Sequence, residues 1–234
     1  MNRLRAGVWG WIAAASLGLS ARSMLDVSVG ADDFAAIDYA QPRRYLAQGA
    51  QTQIDACHLA LVESIGVRTN TVAEIRKIFD WKKGFRNIPA GGKHVGVRTV
   101  NDILASGELT GCHDHGILLA AVLRHFGYPA IMVDATGIAW SRLPEGERKG
   151  FSGHVFVEAH AGGKWILLDS TTGRSVDRYD PRDPVIDLTS DREPLGYYVM
   201  FKGADPEGYG IRSIRALNDA QLRFAERLRR DGLP

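Results

Sequence analysis

Two cysteines occur in the 234-residue chain, and one stands where a thiol can be made reactive. Cys112 lies in Thr110-Gly111-Cys112-His113-Asp114-His115-Gly116, directly ahead of the apolar run Ile117 to Leu123. With Thr110 as N-cap, Gly127 as stop and Pro129 beyond it, the spacing predicts a helix with Cys112 in its first turn. Unpaired backbone N–H groups and the positive end of the helix dipole favour a thiolate there. In such places a thiol pKa falls from about 8.5 to roughly 3.5–7.5. The same N–H groups suit the oxyanion of a tetrahedral intermediate, and Gly111 leaves the backbone open to a substrate. The plain alternative is a small hydrophobe in a core.

A second pair of groups lies on a hairpin. Gly153 to Ala159 and Trp165 to Leu168 read as strands joined by His160-Ala161-Gly162-Gly163. With Ala161-Gly162 at the centre of the turn, His154 stands directly opposite Asp169. A centre one residue later makes the pair diagonal on the same face. A carboxylate that fixes an imidazole, combined with an activated thiol, is a nucleophile–base–orienter set. Alone, the hairpin would be read as an ordinary one with a polar cross-strand pair. Cys112-His113-Asp114-His115 also holds four possible zinc ligands. Neighbours on a helix point about 100° apart, which keeps one ion from gathering them. Asp114 and His115 are assigned instead to the helix start and its contacts.

The elements that must position these residues follow from periodicity. Ile54, Cys57, Leu61 and Ile65 fall on one face of a helix over Gln51 to Ile65, which assigns Cys57 to the core. Thr71-Val72-Ala73-Glu74 reads as a capping box opening a helix through Ile75, Ile78, Phe79 and Trp81. Thr99 to Leu104 is a short helix with Asp102 three residues after its Thr. The helix carrying Cys112 is apolar all round, and such helices are buried. Ala130 to Val133 and Tyr197 to Phe201 are further strands, and Asn218 to Arg230 is a basic, solvated helix. His58 follows Cys57 on the edge of its helix, and His94 lies in the Gly-rich loop Pro89 to Gly96 with no partner at a motif spacing. A Cys57–Cys112 disulfide would block the nucleophile and is not expected. Helices first and strands second predict an α+β fold, with an antiparallel sheet packed against the buried helix.

At this point the chain resembles the transglutaminase-like superfamily, whose core has a papain-like cysteine-protease fold. The similarity runs from about Glu74 to Gly173. It is carried by Cys112 and its Ala- and Leu-rich helix, by Leu123-Arg124-His125-Phe126-Gly127-Tyr128-Pro129-Ala130, by Gly153-His154-Val155-Phe156-Val157-Glu158, and by Trp165-Ile166-Leu167-Leu168-Asp169-Ser170-Thr171. The family often has Gly-Asp-Cys where this chain has Thr110-Gly111-Cys112, and His-Ala-Trp where it has His154-Val155-Phe156. The resemblance implies a catalytic triad of Cys112 as nucleophile, His154 as general base and Asp169 as the residue orienting it. It also implies thiol-dependent acyl transfer on peptide or amide bonds, as a protease, an amidase or a protein-glutamine crosslinking enzyme. A transglutaminase-like binding or scaffold module without activity is the alternative, and a metal-dependent hydrolase comes after it. The segment from Val176 to Pro234 is not explained by this match.

Composition bounds the rest. Basic and acidic residues number 29 and 27, with 45% apolar and 24% charged residues. That balance excludes wholesale disorder and gives no footprint for nucleic acid. Two cysteines exclude a disulfide scaffold and a four-cysteine zinc site. Arg3 and Arg5, the uncharged run Ala6 to Leu19 and the small residues Ser20 and Ala21 read as a signal peptide over residues 1–21. That run is shorter than the roughly 20 residues of a membrane span. The expected product is a single domain over 22–234, core about 74–173 with a C-terminal extension, in the periplasm or outside the cell. A start at Met24 would instead make it cytoplasmic. The expected partner is a peptide or protein substrate, with no stable membrane insertion after processing and no metal or organic cofactor; the sequence does not fix the oligomeric state.

Overall fold

The computed structural model describes residues 29–30, 36–176, 179–190 and 193–231, and the signal-peptide reading of residues 1–21 lies outside them. In chain order the elements are β1 (Val29–Gly30), 3-10 turns at Pro42–Leu46 and Ala56–His58, α1 (Leu59–Glu63), α2 (Val72–Lys82), β2 (Arg86–Asn87), α3 (Val100–Ser106), β3 (Glu108–Leu109), α4 (Cys112–His125), β4 (Ala130–Gly137), α5 (Ile138–Arg142), a 3-10 turn at Glu145–Glu147, β5 (Gly153–Ala161), β6 (Lys164–Asp169), β7 (Ser175–Val176), β8 (Val185–Ile186), β9 (Tyr197–Gly203) and α6 (Ile214–Asp231). The main sheet runs β1-β9-β4-β5-β6-β7, with β8 also on β9, and every pair in it is antiparallel. β2 and β3 form a separate parallel pair. The architecture is α+β, as the order of helices and strands predicts.

α4 is the centre of the molecule. Every residue from His113 to Arg124 is buried, because Ile117 to Leu123 leave no polar face to turn toward water. Its far end closes as the sequence predicts, with Gly127 at φ 80°. There Tyr128 N–H donates to Leu123 O and Gly127 N–H to Arg124 O, which satisfies the last carbonyls. One side of the sheet packs on α4 through Ala130, Met132, Val155, Val157, Ala159, Ala161, Ile166 and Leu168. Val133, Ala135, Phe156, Leu167 and Val199 fill the other side, which is why β4 is buried along its whole length.

The approach of α4 to the sheet depends on Gly116. A Cβ there would lie 2.5 Å from Val155 Cγ1 and 2.8 Å from Met132 Cε. Gly116→Val is expected to push the start of α4 off β5, costing about 1–3 kcal/mol of stability and slowing alkylation of Cys112. An unchanged melting temperature and labelling rate would show that the contact is slack.

Three local readings change. Gln51 to Ile65 is not one helix: a 3-10 turn and the single turn α1 replace it, and Cys57 is exposed rather than core. Glu74 caps Arg68 N–H instead of closing a box, although Thr71 still accepts from Glu74 N–H. The reciprocal box is at Thr99 and Asp102. Finally, the N-cap of α4 is Gly111, not Thr110, so Cys112 is the first helical residue.

Candidate active site

The turn ahead of α4 is fixed by one buried carboxylate. Asp114 Oδ2 accepts from Thr110 N–H at 2.9 Å and from Thr110 Oγ1 at 2.7 Å, and pairs with Arg98 Nη1 at 2.5 Å. Thr110 is thereby drawn back onto the helix instead of capping it, and no side chain caps α4. The first turn of α4, which lines the cavity beside Cys112, therefore has no side-chain oxygen capping its N–H groups.

The hairpin turns on Gly162 and Gly163, at φ 58° and 83°, one residue later than a turn centred on Ala161-Gly162. Phe156 consequently pairs with Asp169, and His154 meets Asp169 on the diagonal. His154 Nε2 donates to Asp169 Oδ1 at 2.9 Å. Phe156 packs edge-on to the imidazole at 4.8 Å and Tyr197 tilts against it at 5.8 Å. The same Oδ1 accepts from Thr171 N–H at 2.9 Å and Thr172 N–H at 3.1 Å. Beneath that turn, buried Lys82 donates to Ser170 O and lies 3.1 Å from His115 Nδ1. Burial pushes Lys82 down to about 8. Burial and then the lysine charge push His115 down to about 4, so its ring is a neutral acceptor near pH 7.

Cys112 is half-buried at the meeting point. Burial pushes its thiol up, but hydrogen bonds and charge from His113 and His154 outweigh this and hold it at about 6. Burial opposes charge on His154 too, yet Asp169 and Cys112 together raise it to about 9. Asp169, against its own burial, is held well below the usual carboxylate range by His154 and the Thr172 turn. The structure thus brings together all three residues singled out in the sequence, Cys112, His154 and Asp169.

The sequence reading missed a second imidazole. His113 Nδ1 lies 3.9 Å from Cys112 Sγ, and His113 Nε2 lies 2.8 Å from Asp134 Oδ2. The signal was available: Asp134 follows the apolar strand residues 130–133 and shares the parity of Ala130 and Met132. The side chains of the Cys112–His115 cluster turn toward different partners, and no group of three or more His, Cys, Asp or Glu among the described residues is placed to hold a metal ion.

A cavity of about 180 Å³ opens beside Cys112. His94 and Val95 of the Gly-rich loop line one wall, and Phe151 and Gly153 another. The unexplained tail supplies the rest through Ile214, Leu217, Asn218 and Gln221 of α6. The helix is therefore not simply solvated: Leu217, Gln221, Ala225 and Leu228 are buried. Gly153 has no Cβ to strike the Gln221 amide, which donates to Ser152 O at 3.1 Å. His94 is 3.2 Å from Thr110 Oγ1, a partner its place in the sequence did not suggest.

No protein-family model matches the sequence, and no curated protein matches it. Among solved structures, the chain is similar to a cysteine-protease candidate from Cytophaga hutchinsonii, with a TM-score of 0.50 and 16% identity over 79% of this chain. Two structures of the periplasmic domain of TgpA from Pseudomonas aeruginosa, one bound to ethylmercury, follow at TM-scores of 0.41 and 0.40. They are 21% and 20% identical over 58% of this chain, and 50% and 49% of their own lengths are covered. The chain spans about half, 56%, of the Cytophaga protein. Its fold is the papain-like, transglutaminase-like one. No helix among the described residues is long and apolar enough to cross a membrane.

Proposed function

We propose that the protein is a cysteine-nucleophile hydrolase or acyltransferase acting on peptide or amide bonds. The observation that carries this reading is the convergence of Cys112, at the uncapped start of α4, with a His154 that Asp169 holds at 2.9 Å. The Cys112 thiolate attacks the carbonyl carbon, and the oxyanion is held by N–H groups at the start of α4. Collapse expels the amine, which leaves with the proton of His154, and an acyl-thioester remains on Cys112. His154 then takes a proton from the acceptor as it attacks, and the sulfur departs as thiolate. Water as acceptor gives hydrolysis, and a lysine amine gives a new amide bond.

A panel of peptides with and without amine donors, run on wild type and Cys112→Ser, tests the proposal. Wild type is expected to release acid or form amide, and Cys112→Ser to do neither. The rate should follow a bell in pH. Protonation of the thiolate near 6 sets the acid limb. Loss of the His154 proton near 9 sets the alkaline limb. Turnover that survives Cys112→Ser contradicts the reading. Export by residues 1–21 belongs to the same proposal: a mature N-terminus near Arg22 supports it, and one at Met24 contradicts it.

A further inference from the structure

We propose that His113, held by Asp134, is a second catalytic imidazole with a task separate from that of His154: it stays a cation beside Cys112 Sγ and keeps the sulfur a thiolate while His154 moves protons. Catalytic use of that thiolate rests on the acyl-transfer reading, whereas the state of the thiol does not.

A carboxylate only accepts, so the 2.8 Å contact from His113 Nε2 to Asp134 Oδ2 requires a proton on Nε2. Nδ1 then faces Sγ, either bare against an S–H or protonated against S⁻. The surroundings decide between these states. Asp134 is 1% exposed, and its other partner is the Tyr209 hydroxyl at 3.4 Å. A buried carboxylate with only neutral donors is costly, and an imidazolium beside it removes most of that cost. The proton that Nδ1 gains is the one the thiol loses. Asp134 sits at a register shift of β4 against β9, between Asp134 and Ala135; such irregularities turn a strand side chain toward a particular neighbour. Burial opposes charge on His113, but Asp134 and Cys112 raise it to about 10.

Access separates the two imidazoles. The His113 side chain is 5% exposed and that of His154 is 18%. Both rings border the cavity, and the more open one is the better placed to exchange its proton with a leaving amine and an attacking acceptor. The other titratable groups around the pair include Asp169, Tyr197, His115 and Lys82 on the His154 side, Tyr209 on the Asp134 side, and His94 with Asp114, which both bond Thr110. His113 keeps its proton through the cycle. The leaving nitrogen takes the proton of His154, the acceptor returns one to His154, and the departing sulfur again faces a cation.

The test titrates Cys112 by iodoacetamide labelling across pH, without substrate, in wild type, in His154→Ala, and in His113→Gln combined with Asp134→Asn so that no buried charge is orphaned. His154→Ala should still titrate well below the ordinary thiol value of about 8.5. The double variant should titrate about one pH unit or more above wild type, and the acid limb of any turnover should move with it. Imidazole NMR of the wild-type protein gives a reading free of folding effects: His113 should remain protonated at pH 8. An unchanged thiol titration in the folded double variant, or a His113 ring already neutral at pH 8, overturns the proposal. Absence of turnover in wild type would count against acyl transfer, while these titrations would still decide the role of His113.

Discussion

His154→Ala is expected to lower turnover by about 10²–10⁴-fold, the usual contribution of a positioned general acid–base. Asp169→Asn should come close to the same loss for a different reason. An amide at 169 can offer N–H as well as accept, so Nε2 of His154 no longer has to carry the proton. Nδ1, the nitrogen left for Cys112, then loses its defined role. The backbone should not move in either variant, because Asp169 N–H still donates to Arg174 O, Gly173 N–H to Asp169 O, and Phe156 still packs on Tyr197. Steady-state kinetics on the best peptide of the panel checks this. A loss below tenfold in both variants would remove His154 and Asp169 from the proton-transfer role.

The second large effect lies on the far side of the sheet from α4. Lys202 and Glu158 are fully buried and paired at 2.5 Å. Lys202 also donates to Pro181 O at 2.7 Å and to Tyr39 Oη at 2.9 Å, and the hydroxyls of Tyr39 and Tyr179 donate to Glu158. One ion pair thereby fastens the segment around Tyr39 and the strap through Tyr179–Pro181 to the strands β5 and β9. Lys202→Met orphans a buried carboxylate and should cost about 3–5 kcal/mol, roughly 10 °C in Tm for a chain of this size. Joint replacement by Lys202→Met and Glu158→Leu should recover much of that loss, because both charges then leave together. Cys112 labelling at low temperature should remain. A Tm within about 2 °C of wild type in Lys202→Met would show that the pair contributes little.

Local patterning made the site largely readable and left its surroundings hidden. α4 could be read from its unbroken apolar run and its Gly127 stop, and the His154–Asp169 pair from hairpin arithmetic that tolerated a shift of one residue. Cys57 was misplaced because helical spacing over Ile54 to Ile65 does not show whether the helix forms; a 3-10 turn at Ala56–His58 breaks the face and leaves the thiol in solvent. Thr110 looked like a cap because nothing local reveals that Asp114, with Arg98 behind it, takes its hydroxyl. β9 lies between β1 and β4 in the sheet, a pairing made across more than sixty residues with no trace in either strand alone. The wall that α6 gives the cavity was hidden for the same reason, whereas the strand parity of Asp134 put it on the face that meets α4. That wall depends on where a distant segment lands, and periodicity speaks only of near neighbours.

If Cys112 is an activated nucleophile, it must outreact the protein's own second thiol, Cys57. Cys57 is exposed and Cys112 is half-buried, so access alone favours Cys57. Limiting iodoacetamide at pH 7, followed by mass spectrometry of the modified peptides, sets the two in competition. Cys112 is expected to be alkylated first, as a thiolate already formed at that pH. Alkylation of Cys57 first, or equal and slow reaction of both, would contradict it.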